Sequence, residues 1–289
     1  MVLKKIVLEN IKFKNFVTIP KTKTFDRDHL EYIFKQYGKY HALSFAYRML
    51  NPEGYAELSK GFADVYLDLT EREAFSQGID IIHELCLESL QPGEDDDVIQ
   101  KYKYYVGNGT KIFQNSNNYV GNYSVILHGD CWSNNMMFKY DESGKLSDMR
   151  FLDFQLSKAG NPVSDLAYCF YSGGSKEMLA QLDYYLKVYH NSLSETIREF
   201  NLNAEEIYPF KVLKNDWKQH CQLGFTMAIM IWRMKLTYES DLMDLTDFNE
   251  DIEDFHDVYN ATKYDETTFK EITRNLILHM YENDLLISN

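Results

Sequence analysis

The chain has 289 residues and carries a net charge of -14, from 30 basic and 44 acidic side chains. This acidic balance argues against a nucleic-acid surface, which needs a basic stripe, and against docking on anionic lipid. Hydrophobic residues make up 45% of the chain, enough for a core in one large domain or two small ones.

The opening Met1-Val2-Leu3-Lys4-Lys5 breaks too early for a signal peptide, and no apolar run reaches the ~20 residues needed to cross a bilayer. A cytoplasmic protein with no membrane partner is expected. Cys86, Cys131, Cys169 and Cys221 are scattered, with no closely spaced pair, so neither a disulfide framework nor a zinc site is expected.

In chain order, residues 1–24 end in a polar, lysine-bearing connector. Phe25-Asp26 then opens a helix with Asp26 as its cap, and Leu30, Ile33, Phe34, Tyr37 and Tyr40 recur at helical spacing. His41 and Ser44 fall at its end. A single histidine on an apolar helix face needs only a hydrogen bond, so His41 is read as packed rather than as a substrate contact. Residues 53–105 read as helical, with Phe62, Val65 and Leu69 on one apolar face and Ile79, Ile82, Cys86 and Leu90 on another. Pro92-Gly93 with Glu94-Asp95-Asp96-Asp97 reads as a solvated acidic turn. Gly107-Asn108-Gly109 is a bare Gly-x-Gly and reads as a turn, not as a phosphate loop.

Residues 122–160 hold the most informative pattern. An apolar run, Val125-Ile126-Leu127, delivers His128-Gly129-Asp130, and Asn135 follows the aspartate by five positions. A hairpin turn at Asp141-Glu142-Ser143-Gly144 comes next, and a second apolar run delivers Asp153. Asp and Asn favour turns in any protein, but the whole combination is the layout of a phosphotransferase catalytic loop followed by a metal-binding aspartate. A hydroxyl acceptor needs a carboxylate to take its proton, which Asp130 supplies. A triphosphate needs a divalent cation, for which Asn135 and Asp153 supply oxygen ligands. Beyond this, residues 163–200 and 205–289 read as helical. The stripes Leu179, Leu182, Leu186, Tyr189 and Cys221, Phe225, Ala228, Trp232 are assigned to core.

The run His128-Gly129-Asp130-Cys131-Trp132-Ser133-Asn134-Asn135, then Asp153-Phe154-Gln155, then Asp165-Leu166-Ala167-Tyr168, resembles the ecdysteroid-kinase-like family of insects. That family belongs with the choline kinases and aminoglycoside phosphotransferases in the protein-kinase-like fold. Lys39-Tyr40-His41-Ala42-Leu43-Ser44 resembles the family's helix ending, and Val7-Leu8-Glu9-Asn10-Ile11 resembles its hinge strand. The resemblance implies an α+β, mostly helical C-lobe with a hinge strand and a small catalytic hairpin. Residues 1–24 are then hinge strand and connector, and 25–289 the C-lobe. Its catalytic core spans 122–170 and its C-terminal helical subdomain 175–289. It implies ATP and Mg²⁺ as cofactors, with Glu9, Asn10 and Ile11 marking the adenine edge through backbone groups. It also implies that Asp165 accepts hydrogen bonds from the catalytic-loop backbone, that His128 braces the loop beside the base Asp130, and that the acceptor is a small hydroxylated molecule, a steroid or a xenobiotic.

A kinase of this class also has an N-lobe with a phosphate-covering loop, a strand lysine and a glutamate that holds it. Within these 289 residues only a handful precede the hinge-like segment, and Lys4 and Lys5 are too close to it to serve. The expectation is a phosphotransferase C-lobe without most of its N-lobe and inactive in this form. Two alternatives stand beside it. One is a non-catalytic remnant that binds a ligand or partner. The other is a choline- or ethanolamine-kinase-like enzyme, which needs an aromatic-acidic cage for its cation. The 15% aromatic content suits an apolar acceptor but suits a plain aromatic core better.

Overall fold

The chain enters through a 3-10 turn, Ile11–Lys14, and the short strand β1 (Phe16–Val17). This computed structural model describes residues 8–119, 121–241 and 262–287. The strand expected at residues 7–11 is corrected. Leu8, Glu9 and Asn10 are irregular and Ile11 already belongs to the turn, while Val7 lies outside the described residues. The cause is local. The Asn10 side chain accepts the Lys12 N–H, which starts a turn, and Asn15 closes it in the left-handed conformation. Extended backbone begins only at Phe16.

Helix α1 (Arg27–Leu50) starts where the sequence placed it: the Asp26 carboxylate accepts the otherwise unpaired His29 N–H at 2.9 Å. Helices α2 (Pro52–Lys60), α3 (Val65–Thr70), α4 (Glu73–Leu87), α5 (Asp96–Tyr102) and α6 (Gly109–Asn117) lead to β2 (Val125–Ile126). The hairpin β3 (Met136–Tyr140) and β4 (Leu146–Phe151) follows, then β5 (Ala159–Gly160). Among the described residues that follow are the helices α7 (Val163–Gly173), α8 (Lys176–Leu179), α9 (Leu182–Glu199), α10 (Ala204–Ile207), α11 (Phe210–Leu236) and α12 (Glu266–Glu282).

The result is a mostly helical α+β fold with two small antiparallel sheets, β1-β3-β4 and β2-β5. Asp141 turns the hairpin: its carboxylate takes the N–H groups of Ser143 and Lys145, and Gly144 supplies the positive φ. The turn expected at Gly107 is also present, with φ at +73°.

The apolar stripes of α4 and α11 are buried throughout, from Ile79 to Leu90 and from Cys221 to Trp232. Phe62, Val65 and Leu69 are only half-buried, and Tyr66 and Thr70 face inward instead. Tyr37, Tyr102, Tyr105, Tyr168, Tyr171, Tyr185, Tyr189 and Tyr208 are among the largest fully buried side chains. The aromatic content therefore fills the core.

The acidic turn is solvated at Glu94, Asp96 and Asp97, as expected, but not at Asp95. Asp95 is buried, and its two oxygens take Arg274 Nε at 2.7 Å and Nη2 at 2.9 Å. This forked pair ties α12 to the start of α5. The partners lie 179 residues apart, so no local pattern could announce it.

Helices α7 and α11 cross with their backbones touching. A Cβ on Gly224 would lie 2.3 Å from the Tyr168 backbone nitrogen and 2.6 Å from the Ala167 carbonyl carbon. Alanine favours a helix over glycine by about 1 kcal/mol. Here the clash dominates, because neither helix can give without moving the core behind it. Gly224→Ala is expected to destabilise the protein by about 2 kcal/mol, in the range of overpacking changes. A thermal melt in which the variant matches or exceeds the parent would contradict this packing.

Candidate active site

Strand β2 pairs with β5, and Leu127 N extends the ladder by donating to Lys158 O at 2.8 Å. The chain then leaves the sheet at His128. Gly129 has φ at +88°, and a Cβ there would lie 2.1 Å from the Leu156 carbonyl oxygen. Only glycine fits this bend on both counts. Opposite the bend, Tyr66 Oη donates to Gly129 O at 2.6 Å.

Asp165, on the first turn of α7, is buried beneath the loop. Its carboxylate accepts His128 N at 2.7 Å, Gly129 N at 3.0 Å and the Cys131 thiol at 3.1 Å. The ring of His41 meets it at 3.1 Å and reaches Tyr189 Oη at 3.0 Å with its other nitrogen. His41 is thus a packed histidine with both nitrogens engaged. Burial works against the charge on Asp165, but the hydrogen bond and charge of His41 outweigh it and hold the carboxyl below its usual range. Ser44, also on α1, accepts Ile126 N at 3.1 Å, so α1 steadies both β2 and Asp165.

His128 is buried as well. Its Nε2 lies 2.8 Å from Leu152 O, and its Nδ1 accepts the Asp130 N–H at 3.2 Å. The two bonds fix one tautomer and leave neither nitrogen for a substrate. The ring braces the loop against the end of β4.

Asp130 is half-buried. Asn135 Nδ2 donates to its Oδ2 at 2.7 Å, and Tyr168 Oη donates to its Oδ1 at 3.1 Å. Burial raises the pKa of this carboxyl, and the hydrogen bonds from Tyr168 and Asn135 offset only part of the rise. With its nitrogen committed to Asp130, Asn135 offers its amide oxygen to a cation.

The hairpin brings Asp153 to the same place. Met136 pairs with Phe151, and Leu152 N donates to Asn135 O at 2.9 Å, so Asn135 and Asp153 flank one end of the hairpin. Asp153 is exposed and sits at φ +61°, a left-handed conformation that aspartate tolerates better than most residues. An amide oxygen and a carboxylate are hard donors suited to Mg²⁺, whose other positions go to water and phosphate oxygens. Among the described residues no cluster of three or more His, Cys, Asp or Glu side chains could hold a metal ion.

Glu9, Asn10 and Ile11 are not brought to Asp130. Phe16 stands opposite Lys139, so the chain before β1 leaves the sheet at its Tyr140 end, away from Asn135. At the usual strand rise, Asn135 to Lys139 spans roughly 13 Å. Glu9 itself is exposed and pairs with Lys14 at 2.9 Å.

Sequence reasoning gave no role to Tyr168, Tyr66 or Lys158. Tyr168 follows Asp165 by three positions on one helix, a spacing that puts both side chains on the same face. That signal was available. Lys158 was not accessible in this way. It is buried and donates to Asp64 and to Asn117 Oδ1 at 2.8 Å, partners far away in the chain. Together, Asp64 and Tyr66 tie the start of α3 to the catalytic loop.

Asp130, Asn135 and Asp153 thus stand at one end of the hairpin, and Asp165 holds from below the loop that carries Asp130. Residues 3–202 match the model of the Ecdysteroid kinase-like family, more than half of the chain, and the chain belongs to that family. The family carries with it the kinase-like fold. No curated protein and no solved structure matches the chain. Among the described residues no helix is long and apolar enough to cross a membrane.

Proposed function

We propose that this protein transfers the γ-phosphoryl group of ATP to a hydroxyl of a small molecule, a steroid or a hydroxylated xenobiotic. The observation that carries the reading is the Asp130 carboxylate, fixed at both oxygens and standing at the hairpin end that also bears Asn135 and Asp153. Asp130 accepts the proton of the attacking hydroxyl. Asn135 and Asp153 hold Mg²⁺, which neutralises charge on the phosphates. Glu9, Asn10 and Ile11 border the adenine, beyond the Tyr140 end of the sheet and away from the metal residues. Asp165 and His128 keep the loop in shape.

In kinases of this fold a strand lysine held by a glutamate orients the phosphates. Among the described residues the lysine–glutamate pairs are local and surface-facing: Glu9 with Lys14, Glu31 with Lys35, Glu266 with Lys270. Turnover is therefore expected to rise when a kinase N-lobe is supplied to the 289 residues by fusion or in trans. Exposed apolar side chains at Leu8, Phe13, Val17 and Phe154 support a partner surface on this part of the molecule. The same exposed side chains favour a second reading, a non-catalytic protein that binds a ligand or partner.

The test is ATP consumption over a panel of sterols and glycosides with Mg²⁺ titrated. Asp153→Asn keeps the left-handed backbone but removes the anionic ligand. It is expected to cut turnover by at least about 100-fold and to raise the Mg²⁺ needed, in line with the share of this chemistry that metal positioning supplies. A variant with the parent's Mg²⁺ dependence would remove Asp153 from the metal site.

A further inference from the structure

Tyr168 touches the reacting carboxylate, and the residues around it explain why. Its ring is buried in α7, three positions after Asp165. The two side chains grip one loop at two levels: Asp165 holds the backbone of His128 and Gly129, and Tyr168 holds the side chain of Asp130. From behind, Gly224 of α11 presses on the Tyr168 backbone so closely that a methyl group would not fit. This close approach fixes the backbone of α7 that carries the phenol. Burial also keeps it protonated at any working pH, so it stays a donor.

We infer that Tyr168 is a positioning residue for Asp130, turning the carboxylate so that its free lone pairs meet the acceptor hydroxyl. This rests on the reading of Asp130 as the base. A carboxylate held at one oxygen swings about its side-chain torsions. Held at Oδ1 by Tyr168 and at Oδ2 by Asn135, its plane is set, and each oxygen still has a lone pair to offer. Tyr66 provides the contrast. It is equally buried and equally close to the loop, but its hydroxyl goes to the Gly129 carbonyl and holds backbone only.

The rival account is that Tyr168 merely finds a partner for a buried hydroxyl. Two measurements separate the accounts. In the form that turns over, Tyr168→Phe keeps the ring and loses only the donor. Positioning is expected to cost roughly tenfold in kcat with the KM for ATP unchanged, since misaiming a reacting group slows chemistry without weakening binding. In an Asp130→Asn background the same change is expected to cost nothing further. A kcat equal to the parent's overturns the inference.

The second measurement needs no turnover and uses the 289-residue chain. Fluorotyrosine placed at position 168 reports through its ¹⁹F resonance, which is expected to move when Asp130→Asn replaces the charged acceptor by a neutral amide NH₂. Fluorotyrosine at position 66 is expected to move far less. A position-168 resonance that ignores Asp130→Asn shows that the two groups do not meet, and the inference fails. If no form consumes ATP, it is the phosphotransferase reading that falls, and the ¹⁹F comparison still decides whether Tyr168 holds Asp130.

Discussion

Asp130→Asn is expected to lower kcat by at least about 100-fold, the lower end of what a positioned general base contributes. The substitution changes little else. Asparagine has the shape of aspartate, and its amide can turn its oxygen toward Asn135 Nδ2 and its NH₂ toward Tyr168 Oη, which then accepts instead of donating. Burial already works against the charge of Asp130, so removing that charge is expected to leave the melting temperature equal or slightly higher. The measurement is the initial rate of ATP consumption in the presence of acceptor, paired with a thermal melt. Lost activity with an intact melt assigns the defect to chemistry. A variant that keeps the parent's rate would show that the acceptor proton leaves by another route.

Asp165→Asn is expected to damage both fold and activity. The carboxylate serves the N–H groups of His128 and Gly129, the Cys131 thiol and the His41 ring, all at a buried position. An amide presents an NH₂ to donors that need an acceptor, and removing one partner of a buried charged network costs about 3–5 kcal/mol. The cost has a pH signature. Despite burial, the charge and hydrogen bond of His41 hold the Asp165 carboxyl below its usual range. The folded value thus lies below the unfolded one, and the stabilisation is fully present above the unfolded pKa of about 4. It is lost as pH falls through the folded value. The stability gap between the parent and Asp165→Asn, read from denaturant melts, should therefore be present above about pH 4 and shrink as pH falls below it. A gap that persists undiminished at low pH would mean that packing, and not the carboxylate, carries the effect.

The amino-acid sequence by itself determined whatever depends on neighbours within a turn or two of chain. The cap of α1 at Asp26, the hairpin turn at Asp141–Gly144 and the buried stripes of α4 and α11 follow from side-chain chemistry and periodicity. The order of His128, Asp130, Asn135 and Asp153 also follows, because a hairpin of this length returns its ends to one place. Local chemistry misled at Asn10, where a side-chain cap outcompeted the strand expected there, and on α3, where Tyr66 and Thr70 are buried in place of Val65 and Leu69.

What decides how the site works came from tertiary packing. Asp165 collects donors from residues 41, 128, 129 and 131, and its His41 contact spans 124 positions. Tyr168 reaches Asp130 across 38 positions from α7, whose backbone packs closely on Gly224 of α11. Lys158 meets Asp64 across 94 positions, and Asp95, which reads as solvent-facing, is buried against Arg274. A buried charge needs a partner wherever the chain can bring one. A sequence shows the charge, but only the packing of distant helices shows which partner arrives.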